Sequence, residues 1–178
     1  MTASARAPRA IRLVTSVCGL GWLPGAPGTW CSVAAIGLGY LLHRMGGLPA
    51  LLLATVIASA LGFGIIRHAL LEGEDPDPGE IVIDELVGQW IALLPLSAGL
   101  WHAGVPGHVF PWPGWVGAFL LFRLFDIWKP GPVGWADGLG GTLGVMLDDV
   151  LAGLMAAAGV AIAAAVRGLE RVDEPEPI

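Results

Sequence analysis

The chain has 178 residues, of which 55% are hydrophobic and 13% charged, about half the charged share of an ordinary soluble domain, and its mean hydropathy is +0.72. A net charge of −6 with nine scattered basic residues repels phosphate backbones and excludes a nucleic-acid binder. Cys18 and Cys31 are too few for a disulfide framework, and the length fits one domain, 1–178, whose solvent is partly lipid.

Arg6, Arg9 and Arg12 open the chain in a stretch, 1–12, expected to be a flexible tail. Residues 13–22 are short, contain Thr15, Ser16, Gly19 and Gly21, and read as a retained interfacial segment rather than a cleavable signal. Residues 21–30, Gly-Trp-Leu-Pro-Gly-Ala-Pro-Gly-Thr-Trp, break regular structure with two prolines and three glycines. Five apolar runs follow, at 33–42, 49–66, 86–105, 115–127 and 150–166, the third interrupted by Gln89 and His102. A full span takes about 20 helical residues, so the second, third and fifth runs cross outright. The first, extendable back to Thr29, and the fourth are short enough to tilt or re-enter. None alternates like a strand. The fold class is therefore an all-α integral membrane helical bundle of about four to five membrane-embedded helices, with an N-terminal interfacial segment and a tail over 167–178.

Polar residues fall in three groups, 72–85, 123–129 and 137–149. With the basic N-terminus in the cytoplasm, five crossings bring all three groups and the 21–30 loop to the cytoplasmic face. Arg167 and Arg171 then lie outside, against the usual bias. His43, His102 and His108 fall on the far side and carry no catalytic expectation. His68 is on the near side without a spaced partner.

The near-side groups hold the candidate chemistry. Asp84-Glu85, between Ile83 and Leu86, are ionised carboxylates at a membrane boundary, where a divalent cation would offset their cost. They also suit a helix N-terminus by complementing its dipole. Asp148-Asp149 repeat the design between Leu147 and Val150, so the plain explanation is needed twice. Arg123 and Asp126 share a helix face at i,i+3, either as a neutralising pair or, with Lys129 one turn on, as part of a phosphate-plus-metal site. Gly28 and Thr29 offer backbone N–H groups and a hydroxyl to a phosphate, or simply a helix cap at Thr29. Residues 137–142 read as a flexible Gly-rich loop with one acid. Residues 72–80 read as a solvated loop in which Asp77 is the exception to watch. Neither cysteine has an arginine six positions later, which argues against a phosphocysteine mechanism.

Four ordered motifs carry a resemblance: Pro-Gly-Ala-Pro-Gly-Thr-Trp (24–30), Ile-Val-Ile-Asp-Glu-Leu-Val-Gly (81–88), Phe-Arg-Leu-Phe-Asp-Ile-Trp-Lys-Pro (122–130) and Gly-Val-Met-Leu-Asp-Asp-Val-Leu-Ala-Gly (144–153). Over roughly 13–166 the chain resembles the phosphatidylglycerophosphatase A family. The resemblance implies a multi-pass enzyme of the bacterial inner membrane that uses Mg²⁺ to hydrolyse phosphatidylglycerophosphate to phosphatidylglycerol. It implies metal-holding roles for Asp84, Glu85, Asp126, Asp148 and Asp149, and basic catalytic roles for Arg123 and Lys129. Cys31 departs from the family's usual glycine, and Gly131 from a frequent tryptophan. Metal-assisted hydrolysis is the expected mechanism, with water or an aspartate, Asp84 or Asp149, as nucleophile. A cation transporter or a non-catalytic binder of anionic lipid is the alternative class. Acids clustered at one face, with Arg123 and Lys129 among them, argue against both.

Overall fold

The computed structural model describes residues 8–71 and 80–173, with side chains over 8–68 and 80–167; most of the 72–80 loop, Asp77 included, lies outside it. All regular structure among the described residues is helical: α1 (Arg9–Thr15), a single 3₁₀ turn (Leu20–Trp22), α2 (Pro27–Leu71), α3 (Ile83–His102), α4 (Trp112–Trp128), α5 (Pro132–Asp137) and α6 (Gly141–Asp173). Two helices, Pro27–His68 and Gly141–Arg167, are long and apolar enough to cross a membrane, with mean hydropathies of 2.2 and 2.0.

Helix α2 is two arms, because Gly46 and Gly47 leave helical geometry between them. Gly47 sits at φ +61°, with the Trp101 ring where a side chain would project, a conformation open to glycine at little cost. Along the first arm, Cys31 bonds Val82 O, the Trp90 indole donates to Ala35 O at 2.9 Å, and His43 meets Ser97 at 2.8 Å. Both partners advance together, so this arm runs parallel to α3. The second arm returns: Ile66 packs with Ile81, Ile83 and Val87 near the start of α3. Helix α4 descends, with Gly114 against Leu96 and Phe122 against Gly88, and α6 rises beside it. The result is five helical passes between two common ends, around a core that includes Leu86, Leu93, Ala118, Phe122 and Ala156.

Proline sets several starts. Pro27 lies at the first position of α2, and Pro113 and Pro132 lie in the first turns of α4 and α5, where a missing N–H costs nothing. Two expectations change accordingly. The first and fourth passes, read as 33–42 and 115–127, are full helices beginning at Pro27 and Trp112. The chain ends also differ: helix starts at Arg9 and continues to Asp173, well into the stretches read as flexible. The N-terminal segment folds under the bundle, where the Val82 N–H donates to Thr15 O and Arg12 pairs with Glu80 at 2.7 Å.

Candidate active site

The two acidic pairs use one local device at the same end of the bundle. Asp84 Oδ1 accepts the Glu85 N–H at 3.1 Å, and Asp148 Oδ1 accepts the Asp149 N–H at 2.9 Å. Asp84 and Glu85 occupy the first turn of α3, where the helix dipole favours them. Asp148 and Asp149 do not share that explanation. They lie two turns inside α6, beyond the reach of its N-terminal charge.

Close backbone packing brings the pairs together. A β-carbon at Gly153 would lie 2.5 Å from Gly88 O, and one at Gly88 would lie 2.7 Å from Asp149 O. Across this seam Asp84, Glu85 and Asp149 each present an oxygen, all within 4.8 Å of one another. At that separation and an effective dielectric near 20, each ionised pair repels by roughly 3 kcal/mol. Three pairs reach the order of 10 kcal/mol, comparable to the whole stability of a small domain. Glu85 Oε2 and Asp149 Oδ1 are buried without a hydrogen-bond partner. Hard oxygen donors, net negative charge and unfilled acceptors together fit a divalent cation such as Mg²⁺.

Arg123 borders this group. Its Nη1 lies 2.6 Å from Asp126 Oδ2 in the expected i,i+3 pair, yet neither Nη1 nor Nε is aligned in a hydrogen bond. The Asp126 carboxylate lies against Asp149. Gly28 closes the other side: Glu85 Oε1 occupies the place of a β-carbon, with Arg123 Nη1 3.1 Å away. Glycine is required here so that α2 can approach two charged side chains.

The structure separates some residues that the sequence groups. Asp148 does not join the three-carboxylate group; it holds Lys129 at 2.9 Å, and Asp137 grips the same ammonium. Lys129 is thus tied between two acids rather than beside Arg123. Partial burial acts to lower its pKa, but the bonds to Asp137 and Asp148 outweigh that and raise it above the usual lysine value. Asp137, expected in a flexible loop, ends α5. Thr29 is not a cap, because Pro27 starts the helix two residues earlier, and its N–H is already bonded to Ala26 O at 3.0 Å.

Two neighbours escaped the sequence reading. Cys31 is buried with its thiol on Val82 O at 3.0 Å, within electrostatic reach of Glu85, Asp84 and Asp149. Gln89 is fully buried one turn beyond Glu85, and neither atom of its amide has a partner. Its i,i+4 spacing from Glu85 was the available signal. By contrast, a large apolar groove of about 640 Å³ between α2, α3 and α6 holds no chemistry. The hydroxyls on it, Thr55 and Ser59, bond carbonyls one turn back in their own helix.

The family model of phosphatidylglycerophosphatase A matches residues 13–164. The chain belongs to the phosphatidylglycerophosphatase A family. A relative from Escherichia coli (strain K12) with that name is 36% identical over 143 residues, covering 78% of this chain and 74% of its own length. Another so named, from Haemophilus influenzae, is 36% identical over 147 residues, covering 82% and 83%. No solved structure matches the chain. Family membership makes the protein an enzyme, a phosphatase, and each residue placed at the site above lies inside the matched region.

Proposed function

We propose that this chain is a Mg²⁺-dependent phosphatidylglycerophosphatase, removing the terminal phosphomonoester of phosphatidylglycerophosphate to leave phosphatidylglycerol, as a step of glycerophospholipid synthesis. The observation that carries the reading is the group Asp84, Glu85 and Asp149, with buried unpaired acceptors, beside the unaligned N–H groups of Arg123. Those three carboxylates, flanked by Asp126, would hold the metal. Bound there, Mg²⁺ supplies positive charge that offsets the phosphate and polarises it. Arg123 offers two N–H groups to phosphate oxygens while Asp126 holds the guanidinium in place. Asp148 and Asp137 fix Lys129 at the rim of the site, where its charge offsets part of theirs.

We read all five passes as membrane-spanning, with the site at the cytoplasmic face of the bacterial inner membrane. Exposed tryptophans mark both ends: Trp101 and Trp112 at the far end, Trp22, Trp30, Trp128 and Trp135 at the site end. Such belts suit the two interfaces of a bilayer. Arg9, Arg12, Arg67 and Lys129 lie at the site end against Arg44 and Arg167 at the other, which supports a cytoplasmic site. The deciding assay is phosphate release from vesicle-borne phosphatidylglycerophosphate by purified protein, with Mg²⁺ and with excess chelator. Release that requires Mg²⁺ is expected. Equal release in chelator refutes the metal role, and no release from this lipid refutes the substrate.

A further inference from the structure

Among the described residues, six buried side-chain polar atoms lack a hydrogen-bond partner, and they belong to four residues: Glu85, Gln89, Arg123 and Asp149. Three are charged groups whose unfilled positions suit a metal and a phosphate. Gln89 is neutral, 0% exposed, and carries both an unpaired donor, Nε2, and an unpaired acceptor, Oε1. Leaving an amide dry and unpaired inside a bundle is costly, so such a group is retained where something bound satisfies it.

Its position suggests what that is. Gln89 follows Glu85 by four residues on α3, on the same face and about 6 Å further along the axis, away from the interfacial end. Gly88, just before it, abuts both Phe122, the neighbour of Arg123, and the backbone of Asp149. A phosphomonoester lipid whose terminal phosphate lies at Glu85 and Arg123 extends its headgroup from there toward the bilayer interior. In phosphatidylglycerophosphate the carbon beside the ester-bearing carbon carries a hydroxyl. A hydroxyl donates once and accepts twice, so one hydroxyl can meet both the carbonyl oxygen of the amide and one of its N–H donors.

Resting on the phosphatase reading above, we propose that Gln89 is a specificity-determining residue that recognises the headgroup hydroxyl, Oε1 accepting its proton and Nε2 donating to its oxygen. A site built to bond a hydroxyl rejects the analogue lacking it, because its own polar group is then left unpaired.

The test compares kcat/KM for phosphatidylglycerophosphate and for its analogue with that hydroxyl replaced by hydrogen, both in vesicles, in wild type, Gln89→Met and Gln89→Asn. Wild type is expected to favour the hydroxylated lipid by roughly tenfold or more. Gln89→Met, close in volume and without an amide, should bring the ratio near one, mainly by losing activity on the natural lipid. Gln89→Asn, with the amide withdrawn by one methylene, should fall between. An unchanged ratio in folded Gln89→Met overturns the proposal, as does an equal loss on both lipids, which marks a structural role. Should Gln89→Met not fold, an unchanged ratio in Gln89→Asn overturns it equally. Wild type that hydrolyses neither lipid refutes the phosphatase reading and this inference with it, whereas a wild type active on both without preference refutes only the inference.

Discussion

Gly153→Ala tests whether the approach of α3 to α6 assembles the centre. The new β-carbon would lie 2.5 Å from Gly88 O and 3.0 Å from Gly88 Cα, both backbone atoms that cannot swing aside. To reach ordinary contact at 3.4 Å, the two helices must part by about 0.9 Å. Overpacking of this kind costs roughly 1–3 kcal/mol, partly offset by the roughly 0.5–1 kcal/mol that alanine gains over glycine inside a helix. The protein should therefore remain folded. The chemistry should not survive so well, because Asp149 rides on α6 while Asp84 and Glu85 ride on α3. A displacement near 1 Å at reacting groups costs about 10²-fold, so kcat should fall by that order and the Mg²⁺ requirement should rise. Phosphate release across a Mg²⁺ series, beside a thermal melt, reads all three quantities. Gly159→Ala is the matched control: its β-carbon meets only Leu121 side-chain atoms, which can change rotamer, so activity should stay within about twofold. Wild-type turnover and Mg²⁺ dependence in folded Gly153→Ala would refute the reasoning.

Asp84→Asn and Asp149→Asn should each lower kcat by at least about 10²-fold, while Asp137→Asn, on the exposed side of Lys129, should cost less than about fivefold; steady-state phosphate release ranks them, and equal losses would contradict the separation of the two acid sets. Arg123→Lys keeps the charge but loses the planar fork, so turnover should stay impaired at unchanged half-saturating Mg²⁺; a large Mg²⁺ shift instead would show that the guanidinium serves Asp126 alone. In a background lacking Cys18 and Cys31, Leu139→Cys should react with an impermeant maleimide only from the cytoplasmic side and His108→Cys only from the other. Labelling of both from one side would rule out five crossings.

Much of this was legible because long apolar stretches write the helices into the composition. The five runs found from apolar stretches are the five passes, and Arg123 and Asp126 pair as their spacing implied. Helix ends were misjudged where the cue was a proline inside a broken-looking segment: Pro27 reads as an interruption until it is seen to begin a helix. The partners of Lys129 were hidden for a different reason. They depend on the chain turning at Lys129, whose φ of +48° ends α4, and on α5 carrying Asp137 back. Arg12 and Glu80 lie 68 positions apart, and no local pattern joins them. Gln89 looked like a blemish in an apolar run because a sequence records polarity but not whether a polar group finds a partner.

The order in which the chain emerges from the ribosome bears on when activity can begin. Gly28, Glu85 and Arg123 come from the first, third and fourth passes, but Asp149 arrives only with the fifth. On the five-span reading, a nascent chain halted after Trp128 already holds four of the five apolar passes, yet lacks one of its three clustered carboxylates and Lys129 together with both of its acidic partners. Stalled or clipped translation products should therefore lodge in the membrane as inert proteins, and only complete insertion of α6 should release a working enzyme.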